Sequence, residues 1–181
     1  LGEPLPLDEQ PGGPATNPPQ STGGKANVLQ YHGDAKRSGH YVDAAFTRAA
    51  AAMLKKDATF NAMVMGPTYA QPLFWEGDGK DLLIVATEQN EVTALNAADG
   101  SVVWKVTLAP PATPSSFSCM GNITPQVGVT GTPVIDAASK TLYVAAATSG
   151  PKHQLFALSL DDGMPRPGFP VDLSAVSAGG V

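Results

Sequence analysis

From residue 69 onward, apolar positions fall in short runs and alternations broken by turn residues, and the same series occurs twice. The first unit opens with Gln71-Pro72-Leu73-Phe74. It continues through Leu82-Leu83-Ile84-Val85-Ala86-Thr87 and Val92-Thr93-Ala94-Leu95-Asn96, and closes with Val102 to Leu108. The second opens with Thr132-Pro133-Val134-Ile135. It continues through Thr141 to Ala146 and Leu155-Phe156-Ala157-Leu158-Ser159, and closes with Pro170-Val171-Asp172-Leu173. The continuous apolar run Leu82–Thr87 predicts a buried strand, and Val92–Asn96 predicts a strand alternating inward and outward. Asn90-Glu91 predicts a turn. Asp99-Gly100 and Asp162-Gly163 predict hairpins, because Asp favours the turn and Gly accepts positive φ. A longer hairpin is expected at Ser149 to His153. A repeat of roughly 40 residues made of short strands and tight turns is the pattern of a propeller blade.

Upstream the pattern differs. Residues 1–27 hold six prolines and five glycines with no apolar period. They predict an irregular arm suited to lie along a partner surface. Val28-Leu29-Gln30-Tyr31 predicts a short strand, and His32 to Gly39 a polar loop. Asp43 is expected to cap a helix from Ala44 to Lys56 with Phe46, Ala49, Ala50, Met53 and Leu54 on one face. Between the units, Ala109 to Gly131 forms a long excursion of the kind that is functional or partner-bound. Residues 174–181 predict a flexible tail. The expected organisation is therefore an arm (1–27), a partial propeller (28–173) and a tail (174–181).

Composition narrows the function classes. Net charge is −5 and no Lys/Arg cluster occurs, so nothing favours nucleic acid. No apolar run approaches the ~20 residues of a membrane-spanning helix. Charged residues are 15% of the chain, below the usual share of about 25%. Cys119 is the single cysteine, which excludes an internal disulfide, multi-cysteine zinc motifs and c-type haem attachment. The chain opens at Leu1 without Met and shows no signal peptide, and it is read as a processed or trimmed product.

Ala94-Leu95-Asn96-Ala97-Ala98-Asp99-Gly100-Ser101-Val102-Val103-Trp104 resembles the blade repeat of quinoprotein-type propellers. His32-Gly33-Asp34 with Arg37 and Gly39, Tyr69-Ala70-Gln71-Pro72-Leu73, Cys119-Met120-Gly121-Asn122-Ile123-Thr124-Pro125 and Gly128 to Asp136 extend the likeness. Together they resemble the N-terminal part of secreted pyrroloquinoline-quinone-like repeat proteins, over residues 28–173. The resemblance implies an all-β propeller and export to the periplasm, cell surface or medium. The dehydrogenases of that group use adjacent cysteines, a calcium ion held by acidic and amide side chains, and an aspartate base. This chain has no Cys-Cys pair, and no calcium cluster can be assigned in it.

Propellers need about four to eight blades. This sequence supplies two four-stranded blades, an N-terminal strand that would complete a further blade, and one short helix. The rest is expected from a second polypeptide or from sequence outside the chain, because two blades leave sheet edges and one face open. The leading expectation is an exported binding or scaffold module completed by a second polypeptide. The alternative is the N-terminal part of a quinoprotein-like dehydrogenase, with quinone and calcium ligands in the missing blades. A glycan-binding module would need a rim of exposed aromatics, which a 7% aromatic content does not encourage.

Several residues admit two readings. His32, Asp34 and Arg37 would line a ligand site or form a hydrogen-bonded network pinning the N-terminal strand. Gln71, Glu88 and Asn90 lie near strand ends, where either ligand contacts or turn chemistry is found. No catalytic residue or metal ligand is assigned. Trp75 and Trp104 would stack on a sugar or quinone or pack in the core, and Trp104 sits where the blade repeat places a packing residue. Cys119 is a candidate for an interchain disulfide with the partner, against a buried or reactive thiol.

Overall fold

A computed structural model describes residues 27–77, 79–117 and 123–173. Residues 1–26 of the arm, the tail (174–181) and Cys119 lie outside the described residues. The chain forms two four-stranded antiparallel sheets. The first comprises β1 (Leu73–Glu76), β2 (Asp81–Ala86), β3 (Glu91–Asn96) and β4 (Val102–Thr107). The second comprises β5 (Val134–Asp136), β6 (Thr141–Thr148), β7 (Lys152–Ser159) and β8 (Val171–Asp172). Each sheet is a simple meander in chain order.

Register shows how the two sheets meet. In the first, Leu73, Ile84, Ala94 and Trp104 stand opposite one another across successive strands and share one face, the back. Phe74, Leu83 and Leu95 share the other face, the front. The hairpins align the two sheets: Gly100 donates to Asn96, and Gly163 to Ser159, both at positive φ. By that alignment, the front row Phe74–Leu83–Leu95 corresponds to Ile135–Leu142–Leu158, which also face together. The back row Leu73–Ile84–Ala94 corresponds to Val134–Tyr143–Ala157.

The back of the first sheet packs on the front of the second. Leu73, Ile84, Ala94 and Trp104 form one apolar cluster with Ile135, Leu142, Val144, Phe156, Leu158 and Leu160. The Trp104 indole N–H donates to Leu160 O at 2.8 Å. The stacking is head to tail, so the back of the second sheet is left without a following sheet among the described residues. Val134 there is 44% exposed.

The front of the first sheet is treated differently. Asn61 N–H donates to Asp99 O, and Pro67 O accepts from Glu88 N–H. Residues 61–67 thus run from the β3–β4 turn to the β2–β3 turn, along β3. Ala62 and Val64 are half-buried while Met63 and Met65 are exposed, an extended period-two pattern. This strap accounts for Thr93 and Leu95 being buried on the front. The outward half of the alternation expected for β3 is therefore covered.

Two N-terminal expectations need correction. Val28-Leu29 does not form a strand of a further blade among the described residues. Val28 makes a single bridge to Phe74, and Leu29 O accepts from Ile135 N–H, so this piece lies between β1 and β5. The helix α1 covers only Arg48–Ala52, with Thr47 as its N-cap. Asp43 instead accepts from Ala45 N–H in a turn. Phe46, Met53 and Leu54 are exposed, so no apolar face is buried to extend the helix. The hairpin after β6 is also tighter than expected, because Thr148 already pairs with Lys152.

Candidate functional site

The candidate residues gather where β1 and β5 begin and β2 ends. Gln71 and Thr132 precede the prolines that open β1 and β5, and Gln71 N–H donates to Thr132 Oγ1 at 3.0 Å. The Gln71 side chain faces the N-terminal loop. Its Oε1 accepts from His32 N–H at 3.1 Å, and its Nε2 donates to Tyr41 Oη at 3.0 Å.

The loop holds itself together around this anchor. His32 and Arg37 both adopt positive φ, uncommon for residues with a Cβ. His32 Nδ1 lies 3.2 Å from Arg37 O, and Gly39 N–H donates to His32 O. The His32 ring stacks on Tyr31 with centroids 3.9 Å apart. Asp34 accepts from the Ser38 hydroxyl at 2.5 Å and the Ser38 amide at 3.1 Å. Those two bonds, the hydroxyl first, hold the Asp34 carboxyl below its ordinary value. Asp34 is thus engaged within its own loop, and Arg37 contributes through its backbone. His32, Arg37 and Gln71 are brought together. Their contacts support the reading of a network that pins residues 28–41 to β1 and β5.

Glu88 belongs to a second cluster. It sits in the β2–β3 turn, fully buried, and its Oε2 accepts from Gly128 N–H at 2.6 Å. Asn90, at φ 58, donates from Nδ2 to Ala109 O (3.1 Å) and Ala147 O (2.8 Å). Val129 N–H donates to Thr87 O, and Ala147 N–H to Gly128 O. The excursion is thereby clasped onto the β2–β3 turn and onto β6. Gly128 is required here: a Cβ would meet Glu88 O at 2.4 Å and Asn90 Oδ1 at 2.5 Å. Glu88 Oε1 and Asn90 Oδ1 meet no hydrogen-bond donor among the described residues.

The sequence reading gave Tyr41, Thr132 and Gly128 no role in a site. Only Gly128 carried a local signal, a glycine inside the alternating Gln126-Val127-Gly128-Val129 stretch, which marks close backbone approach. Among the described residues there is no group of three or more His, Cys, Asp or Glu placed to hold a metal ion. Among them too, no helix is long and apolar enough to cross a membrane. No protein-family model and no curated protein matches this chain.

Proposed function

We propose that the chain is part of a β-propeller that acts as an exported binding or scaffold module and is completed by a second polypeptide. One observation carries this reading: the two sheets stack front to back, and among the described residues the back of the second remains open. Such head-to-tail interfaces close into rings or continue, since each added unit presents again the face it covered. The approach of β1 to β5 at Gln71 and Thr132 is consistent with first strands gathered about a common axis. The engaged state of His32, Asp34 and Glu88 favours a scaffold over a catalytic centre at that end. Export rests on the Pro/Gly-rich arm and the resemblance to secreted repeat proteins.

The test is native and denaturing mass measurement of the protein purified from the cells that produce it, with and without reductant. A stoichiometric second polypeptide is expected. Its release only under reduction would place Cys119 in the bond between chains. A folded, monomeric species of 18.6 kDa would refute completion by a partner.

A further inference from the structure

Residues 44–56 are rich in alanine and end in Met-Leu-Lys-Lys, and no Gly or Pro stands between Gly39 and Gly66. Such a stretch favours a continuous helix. The structure divides it in two. Asp43 closes one turn, accepting from Ala45 N–H on its side chain at 2.8 Å and from Phe46 N–H on its carbonyl. Thr47 is then extended, at ψ 165, and starts α1 afresh. After Ala52 the amides of Met53 and Leu54 donate only three residues back, to Ala50 O and Ala51 O. No sequence breaker accounts for either interruption. What the stretch lacks is a receiving surface: from 41 to 59 only Ala51 is even half-buried. A helix of this length is marginal in water without one.

A single helix over 44–56 would sort these side chains. Phe46, Ala49, Ala50, Met53 and Leu54 would share one side, and Arg48 and Lys55 would lie opposite. Phe46 is 58%, Met53 80% and Leu54 68% exposed. Charge is segregated onto the same segment. Residues 35–56 hold five Lys/Arg and one Asp, a net +4, while the rest of the chain holds six Lys/Arg and fifteen Asp/Glu, a net −9. Within 44–56 there is no acidic residue.

We propose that residues 44–56 dock on an anionic lipid surface as one amphipathic helix, formed when Thr47 turns helical and joins the two pieces. A lipid interface meets both halves of the pattern, with acyl chains for Phe46, Met53 and Leu54 beneath headgroups for Arg48, Lys55 and Lys56. The long lysine stems can lie along the apolar layer while their ammonium groups reach the headgroups. Repulsion from the acidic remainder is screened over about 8–10 Å at ordinary salt, so the segment nearest the surface decides. This goes beyond completion by a second polypeptide and stands whether or not that completion occurs.

The test is flotation of the full protein, purified with whatever it carries, on vesicles of equal parts phosphatidylglycerol and phosphatidylcholine, against vesicles of phosphatidylcholine alone. Binding is expected on the anionic vesicles, with a gain of helical circular dichroism and slowed amide exchange confined to 44–56. Lys55→Gln with Lys56→Gln should weaken it by about tenfold or more, as should Met53→Ser with Leu54→Ser. All four positions are exposed, so these variants should fold. Ala52→Pro, which leaves charge and the large apolar side chains unchanged, should abolish the helical gain and weaken binding. Equal binding to both vesicles, or to neither, would overturn the proposal. Unweakened binding of Ala52→Pro would overturn the helix. Slow exchange over 44–56 before any lipid is added would show that a protein already covers this face, a second copy if the native mass is doubled, and would overturn the lipid as its occupant.

Discussion

Replacing Gly163 with alanine isolates the contact that joins the sheets. Two costs add at this position. Gly163 sits at φ +73, where an L-residue loses about 1–2 kcal/mol. The new methyl would also lie 2.7 Å from Trp104 Cε3 and 2.9 Å from Cδ2. The indole is held by its bond to Leu160 O and cannot simply swing away. Forcing a methyl into such a packed site costs about 1–3 kcal/mol, so the total loss should be about 2–5 kcal/mol. Gly150→Ala supplies the control, since Gly150 has φ +84 and open space where its Cβ would be. It should lose only the backbone share. Urea unfolding followed by tryptophan fluorescence compares the two, with unchanged slopes required for the midpoints to report stability. Equal losses for the two variants would refute the claim that the Trp104–Gly163 contact is close-packed.

Other expectations follow from the two clusters. Glu88→Ala leaves the buried Gly128 N–H without its acceptor and should cost about 1–3 kcal/mol, read by chemical unfolding. Hydrogen exchange in that variant should rise first across 127–129. Gln71→Ala removes the acceptor for His32 N–H and the donor to Tyr41, so amide exchange should quicken in residues 30–41 while β6 and β7 stay protected. Asp34, Asp99 and Asp136 have carboxyls held below the ordinary value, each chiefly by a neighbouring serine hydroxyl. The stability they contribute is present above the unfolded carboxylate pKa of about 4 and is lost as pH falls through the lower folded values. Asp136→Asn should therefore flatten the acid limb of the stability profile measured between neutral pH and about pH 2.

The strands were legible because their determinants are local. Asp99-Gly100 and Asp162-Gly163 fix two hairpins, and the runs beginning at Leu82 and Leu142 fix the strands between. Pairing at a distance was not legible. Glu88 and Gly128 are forty positions apart, and nothing near either residue names the other. The strap failed for a related reason. Its inward residues, Ala62 and Val64, alternate with Met63 and Met65, so apolar side chains occur on both sides and no face stands out. The helix was overestimated because an apolar stripe predicts burial only when a surface exists to receive it. The loop around His32 was read as one of two alternatives. The bonds from His32 to Gln71 and from Ser38 to Asp34 agree with the pinning network, though the residues that complete it, Tyr41 and Thr132, come from elsewhere in the chain.

Because the strap covers the front of the first sheet along β3 and, among the described residues, the back of the second is bare, the stack has a direction. Chains are synthesised from the N-terminus, so the covered sheet can form first and offer its back to the sheet that follows. Each completed sheet then serves as the template for its successor. Pairing errors are restricted, since only one surface at a time awaits a neighbour. A duplication of one such unit on the C-terminal side would lengthen the array without disturbing the strap, which gives this architecture a one-way route to growth.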